Sequence, residues 1–320
     1  MTYISGTLTS ANPAADLYAL MDTALTSAGY TLFDTVIIGA RTHKMWRSAA
    51  GNNSQNLTWY LDVTYTTTGN GSIWLSTFED FNATTDLGYR GPYLAFDSTI
   101  ESTYYSRFGA TGYALETNWA TVANTTNNLV LSTANFGYWI SITADRVIGL
   151  TSISTTKVVY AGFFEPNSEH IARADTALFP LITGTVTQDA AMGSAMLTRA
   201  PKGVSASIYW QYTARTYSYS AITTSAEGGY GVIGDNSVNP YTGYNTARGR
   251  NVYVVFGYYA NGLTATNANS TTSATVGKLR DVYYFAAASS VARGDTITIA
   301  GQIWILCTST SNFTFAFKAI

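Results

Sequence analysis

Two histidines are the residues best suited to acid–base chemistry or metal binding, and they lie far apart in the chain. His43 lies in the segment ARTHKMW, and His170 follows Glu169. Metal sites and phosphate sites show fixed spacings such as His-x-x-x-His, Cys-x-x-Cys or Gly-x-x-x-x-Gly-Lys, and none of these occurs. We therefore expect His43 to be exposed at the start of a strand, and we predict no metal site and no cofactor.

Paired carboxylates offer the main enzymatic alternative. Glycoside hydrolases need two Asp or Glu side chains in a cleft, and this chain is rich in the aromatic residues that line such clefts. The candidates are Glu79, Asp80, Glu101, Glu165 and Glu169. Three of them fall where predicted strands give way to loops, and carboxylates at such positions are normally solvated. We therefore predict no catalytic residue and no enzyme activity.

A single charged pair, Asp145-Arg146, interrupts the apolar segment GYWISITADRVIGLTSISTTKVVYAGFFEP. Apolar and polar residues alternate before the pair, and a second and a third strand follow it. Asp favours turns because its carboxylate accepts hydrogen bonds from nearby backbone N–H groups. We interpret the pair as the solvated turn of a hairpin. A catalytic or ligand-binding role and an ion pair between subunits are the alternatives.

Tyrosines alternate along the segment IYWQYTARTYSYS, residues 208–220. Such a strand can hold an aromatic face inside the fold or against another subunit, because Tyr and Trp bury a large area and keep a polar tip. The alternative is a platform on which sugar rings stack. With the glycine-rich loop that follows, the predicted interface residues are Tyr209, Trp210, Tyr212, Tyr217, Tyr219, Tyr230, Tyr241 and Tyr244.

Two further motifs favour structural roles. Cys307 is the only cysteine, so the chain forms no internal disulfide, and its strand context predicts a small buried hydrophobic residue. The triplet Arg293-Gly294-Asp295 matches the tripeptide that integrins bind, but it also fits a hairpin turn before the strand TITIAG. We predict the turn.

The composition limits the classes of partner. Charged residues make up 11% of the 320 residues, against roughly 25% in ordinary soluble proteins. A surface with so few charges fits a protein that its neighbours cover. The net charge of −2 gives no basic patch for nucleic acid. We expect no signal peptide, because the first residues lack a basic start and an apolar core. We also expect no transmembrane helix, because the uncharged run 117–144 contains several asparagines.

The elements that must position these residues are one helix and many strands. Pro13 and Gly29 bracket a predicted amphipathic helix over 13–28, whose apolar face includes Leu17, Leu20 and Leu25. Beyond it, segments such as LTWYLDVTYT alternate with period two, and turn residues separate them. The chain is therefore predicted to be mainly β, with antiparallel sheets in sandwich- or barrel-like domains. The mixed segment after Pro166 predicts a division into domains 1–175 and 176–320.

Four segments of the chain resemble virion proteins of tailed bacteriophages, namely DTVIIGARTHKMWRS, WYLDVTYTTTGNGSIWLSTFEDF, YWISITADRVIGLTSISTTKVVYAGFFEP and GKLRDVYYFAAASSVARGDTITIAGQIWIL. The shared elements are an opening helix, a hairpin in which Trp139 precedes the pair Asp145-Arg146, and a Y-x-G-F strand that contains Tyr160, Gly162 and Phe163. The resemblance implies a structural component of the tail or baseplate, made in the host cytoplasm and located in the virion. It implies a homo-oligomer that contacts other virion proteins. A virion protein that binds a host-surface glycan and a capsid decoration protein are the alternatives.

Overall fold

The computed structural model describes residues 1–66, 71–78, 80–84, 87–89, 113–114, 128–153, 157–166, 181–187, 208–215, 250–260, 274–286, 292–307 and 313–319. Within these ranges the chain is mainly β, with antiparallel sheets, one helix and no closed barrel. This confirms the predicted fold class. None of the described helices is long and apolar enough to cross a membrane.

In chain order the elements are β1 (Thr2–Leu8), α1 (Pro13–Ser27), β2 (Tyr30–Ile38), β3 (Arg41–Ser48), β4 (Trp59–Thr66), β5 (Ser72–Phe78), β6 (Asp80–Asn82), β7 (Leu87–Tyr89), β8 (Tyr113–Ala114), β9 (Asn128–Val130), β10 (Phe136–Thr143), β11 (Arg146–Thr151), β12 (Lys157–Phe163), β13 (Glu165–Pro166), β14 (Leu181–Thr187), β15 (Ile208–Arg215), β16 (Arg250–Ala260), β17 (Ala274–Ala286), β18 (Thr296–Ile299), β19 (Gln302–Leu306) and β20 (Phe313–Lys318).

Two five-stranded sheets share one hydrophobic core with the helix. We call them the first sheet, with strand order β1-β10-β11-β12-β14, and the second sheet, with order β2-β3-β4-β5-β9. Alternate residues of β4, including Trp59, Leu61 and Val63, face this core as the period-two pattern predicts. Ile140 and Val147 enter the same core from the first sheet. The two sheets and α1 therefore form a single packed unit.

Helix α1 begins at Pro13, as predicted, and Gly29 follows its end with a φ of +92°, the left-handed conformation that favours glycine. Leu17 and Leu25 are fully buried in the shared core, which confirms that the helix packs on the sheets. The prediction for Leu20 is wrong, because this side chain is 40% exposed. Leu20 lies at the margin of the apolar stripe, and the sheets cover only its centre.

The C-terminal strands form a third sheet in the order β15-β16-β17-β20-β19-β18, and the short strand β13 also pairs with β17. The predicted domain boundary near residue 175 lies outside the described residues and stays a prediction. Two pairings bear on it. Strand β14, beyond that boundary, joins the first sheet beside β12. Strand β13, before it, joins the third sheet through Glu165 and Lys278.

Candidate functional site

The pair Asp145-Arg146 lies where β10 turns into β11, which confirms the predicted hairpin. The prediction that the pair is solvated is wrong for Arg146, whose side chain is fully buried. The guanidinium points into the molecule because acceptors from two sheets surround it. Its Nη1 donates to the backbone oxygen of Ser141 at 3.2 Å and to the Ser141 hydroxyl at 3.3 Å.

The second partner of Arg146 belongs to the third sheet. Arg146 Nε donates to Asp281 Oδ2 at 2.9 Å, and Nη2 lies 2.8 Å from the same oxygen. The neighbouring residues form a second ion pair in the reverse sense, because Arg280 Nη1 lies 3.6 Å from Asp145 Oδ2. The dipeptide Asp-Arg of the hairpin thus faces the dipeptide Arg-Asp of β17. We call these four residues the reciprocal ion-pair cluster.

Backbone geometry on both sides shapes this cluster. A register irregularity between β16 and β17 falls between the pairs Asn251–Tyr283 and Tyr253–Lys278, and within it Asp281 has a φ of +58°. Bulges of this kind redirect a side chain out of the regular alternation. On β12, Gly162 has a φ of +144°, and a Cβ there would collide with the backbone of Asp145. The cluster therefore requires a glycine at this position.

Buried hydroxyls and an indole hold the hairpin against the second sheet. The Tyr30 hydroxyl donates to the backbone oxygen of Thr143 at 2.8 Å. The oxygen of Ala144 accepts from the Ser48 hydroxyl at 2.8 Å and from Trp59 Nε1 at 3.2 Å. Burial raises the pKa of Tyr30 well above its usual value, so this phenol stays protonated and donates. The hairpin tip thus joins the first, second and third sheets, and its contacts are those of a structural junction.

A second polar cluster lies inside the second sheet and was missed by sequence reasoning. His43 was predicted to be exposed, but it is 1% exposed and lies beside Asp62 and Thr64, which are fully buried. His43 Nδ1 is 3.0 Å from Asp62 Oδ2 and 2.7 Å from the Thr64 hydroxyl, which in turn lies 2.9 Å from that carboxylate oxygen. These side chains are buried because both faces of the second sheet are covered. The alternation of apolar and polar residues along its strands instead suggests that one face is solvated.

The geometry of the His43 cluster differs from that of a nucleophilic triad. In a triad, the carboxylate orients one ring nitrogen of the histidine while the nucleophile contacts the other. Here the hydroxyl of Thr64 and the carboxylate of Asp62 both approach Nδ1. All three side chains are also closed to solvent. His43 lies on β3, and Asp62 and Thr64 lie on the neighbouring strand β4. The arrangement is therefore well suited to fixing the register between these two strands.

The remaining predicted chemistry divides between structural positions and residues outside the described ranges. Asp80 is exposed on β6, and Glu165 pairs with Lys278 at 3.4 Å on the third sheet. Glu79, Glu101, Glu169 and His170 lie outside the described residues. Among the residues that the structure describes, no group of three His, Cys, Asp or Glu side chains could hold a metal ion.

Cys307 and the Arg-Gly-Asp triplet adopt the predicted structural positions. Cys307 is buried, and this burial raises the pKa of its thiol to about 12. Gly294 lies in a tight turn with a φ of +84° directly beneath the Trp139 ring, where no Cβ could fit. Asp295 accepts the backbone N–H of Ala292 at 2.7 Å, which closes the turn before β18.

The predicted aromatic interface is only partly within the described residues. Tyr209, Trp210 and Tyr212 lie on β15, which is the last strand at one end of the third sheet and pairs with β16. The other predicted interface residues lie outside the described ranges, namely Tyr217, Tyr219, Tyr230, Tyr241 and Tyr244. Their role stays a prediction.

Strand β2 presents an open sheet edge with exposed apolar side chains. It is the terminal strand of the second sheet, with β3 as its paired neighbour. Ile37 is 71% exposed, Leu32 is 41% exposed and Phe33 is 39% exposed. A bulge between Leu32 and Asp34 interrupts the ladder, so the regular open edge runs from Asp34 to Ile38. An apolar strand edge of this kind is a template for pairing with another strand.

Comparisons with models of protein families and with curated proteins find no match to this chain.

Proposed function

We propose that this chain is a structural component of a tailed-bacteriophage virion, in the tail or baseplate, which acts by self-assembly and by contacts with neighbouring virion proteins. The observation that carries the proposal is the open apolar edge of β2. Exposed Ile37 and Leu32 side chains on a terminal strand favour a contact with another chain, since soluble monomers usually protect such edges with charges or coverings.

The scarcity of charge supports the same proposal. The chain has 17 Lys and Arg residues, 19 acidic residues and two histidines among 320, and some of these are buried inside the protein. Arg146, Asp62 and His43 are all buried in polar clusters that connect strands. Few charges remain to keep copies of the chain apart, and association would cover the apolar edge.

The proposal includes no catalytic activity. The His43 cluster is closed to solvent, and the approach of both the Thr64 hydroxyl and the Asp62 carboxylate to His43 Nδ1 does not suit nucleophilic catalysis.

Two measurements test the proposal. Sedimentation of the purified protein should show a closed oligomer, with interfaces above about 1,000 Å² as specific contacts require. Mass spectrometry of particles purified from a phage that encodes the chain should detect it as a stoichiometric component. A monomer that is absent from particles would refute the proposal, and glycan binding by that monomer would instead support a receptor-binding protein. An oligomer seated on the head would support a capsid decoration protein.

A further inference from the structure

We propose that β2 is a self-association strand, and that two copies of this chain pair through it, antiparallel, across a two-fold axis at Val36. This inference rests on the proposed function and names the partner of the open edge as a second copy of the same chain. A two-fold contact uses the same strand on both copies, and two identical edge strands related in this way must run antiparallel.

The bulge and the alternation of β2 select the register. Residues directly opposite one another in an antiparallel pair lie on the same face of the sheet. Within the regular segment Asp34–Ile38, a two-fold axis at Val36 sets Asp34 opposite Ile38 and Thr35 opposite Ile37. All five residues then pair, and each pair shares a face. An axis at Thr35 or at Ile37 would leave residues of this segment opposite the bulge or the turn at Gly39.

Charge complementarity identifies the occupant as a second copy. Asp34 carries the single charge of β2, and it would face Ile38 of the second copy. On β3, Arg41 is the register partner of Ile38. Asp34 and Arg41 of the second copy would therefore lie in one row, two strand spacings or about 10 Å apart between Cα atoms. The long side chain of Arg41 can reach the Asp34 carboxylate across Ile38.

The two-fold axis generates this row twice. In each row, one copy provides the Asp34 carboxylate and the other copy provides the Arg41 guanidinium. Arg41 lies over the Trp74 ring at 5.5 Å on the same sheet, and its side chain is half-exposed on the face that carries this row. Thr35, which accepts from Lys44 Nζ at 3.1 Å, would cover the exposed Ile37 side chain of the second copy. No like charges face one another in this register.

Single cysteines test the register. In a Cys307→Ala background, Val36→Cys places two thiols directly opposite each other, at Cα distances of about 4.5–5.5 Å that a disulfide can bridge. The matched control Thr35→Cys places its thiols diagonally, at about 7–8 Å. Under mild oxidation we expect a covalent dimer from Val36→Cys and a monomer band from Thr35→Cys on a non-reducing gel. Equal cross-linking of both variants, or none with Val36→Cys, would overturn the register.

Charge exchange tests the partner independently. In a dimer of Asp34→Arg, both rows hold two positive charges. In a dimer of Arg41→Asp, both rows hold two negative charges. Each variant should therefore associate with itself at least tenfold more weakly than the natural chain does. An equimolar mixture restores opposite charges in both rows, because each row then joins one copy of each variant. We expect the mixture to form heterodimers with recovered affinity in analytical ultracentrifugation, with circular dichroism as the check of folding.

The outcomes separate this inference from the proposed function. Failure of both the cysteine and the mixing experiments, in a protein that still oligomerises and occurs in particles, would refute the β2 contact alone. A monomer that is absent from particles would refute the function itself.

Discussion

At the scale of single residues, Arg146 is the most consequential charge in the described structure. Arg146→Met should lower the free energy of unfolding by about 3 kcal/mol, because it leaves the Asp281 carboxylate without its cation beside a buried site. Asp145→Asn is the matched control and should cost about 1 kcal/mol or less, because its ion pair is partly exposed and an amide oxygen can still accept from Ser54. Urea denaturation measures both, and equal effects would contradict the difference in burial.

Cys307 gives a second prediction at this scale. Since its thiol is buried and its pKa is raised to about 12, almost none of it is thiolate at pH 8. The native protein should therefore react with a thiol reagent orders of magnitude more slowly than the protein in 6 M guanidinium chloride. Stoichiometric labelling of the native protein within minutes would show that the segment around Cys307 opens readily.

The environment of a residue could be predicted from the sequence where its neighbours in the chain determine it. The prediction failed where distant segments determine it. The apolar neighbours of Cys307 in the chain were enough to predict its burial. Arg146 pairs with Asp281, which lies 135 residues away in the sequence. The local pattern GYWISITADRV gives no indication that a distant carboxylate covers the turn. A usable signal existed for His43 and Asp62. In a chain with so little charge, ionisable residues within two alternating strands suggest a paired interior.

At the scale of elements, helix α1 offers a matched pair of substitutions. Leu17→Asp should destabilise the protein by about 3 kcal/mol or more, because Leu17 is fully buried among the apolar side chains of the shared core. Leu20→Asp should change the melting temperature little, because Leu20 is 40% exposed. A large effect of Leu20→Asp would show that this side chain is covered in the assembled protein.

Gly162 provides a second test at this scale. Gly162→Ala should cost more than about 2 kcal/mol, because the left-handed backbone and the contact with the Asp145 backbone both oppose a Cβ. Gly39→Ala also has a positive φ, of +60°, but nothing lies within 4 Å of its added Cβ, so it should cost about 1 kcal/mol. Thermal unfolding by circular dichroism separates the two, and similar losses would locate the penalty in the backbone alone.

The strands and the helix could be predicted from sequence because their periods of two and 3.6 residues are local. The pairing of β1 with β10 could not be predicted in this way. It joins Thr2 to Ile142, and all five strands of the second sheet lie between these two residues in the sequence. The sequence also does not indicate which faces of each sheet are covered by other parts of the protein. The face of β4 that carries Asp62 alternates as a solvated face would, yet it is buried.

At the scale of the whole molecule, the shared core of the first and second sheets predicts one cooperative unfolding unit. Leu61→Ala in the second sheet and Ile140→Ala in the first should each lower stability by about 2–5 kcal/mol, because both side chains are fully buried in that core. Both should shift the same transition, followed by circular dichroism and tryptophan fluorescence. Two transitions that respond separately would show that the sheets unfold independently.

The contact between Trp139 and Gly294 has a consequence for reading adhesion motifs. The first sheet places an indole against the middle residue of Arg-Gly-Asp, and the positive φ of Gly294 allows no other residue there without strain. The Arg293 side chain is half-buried, and this burial lowers the pKa of its guanidinium. A cell-surface receptor would need that arginine extended toward it. Packing between two sheets is thus enough to account for the glycine of this tripeptide, and the turn bond accounts for its aspartate, so the sequence match alone is no evidence of an attachment signal.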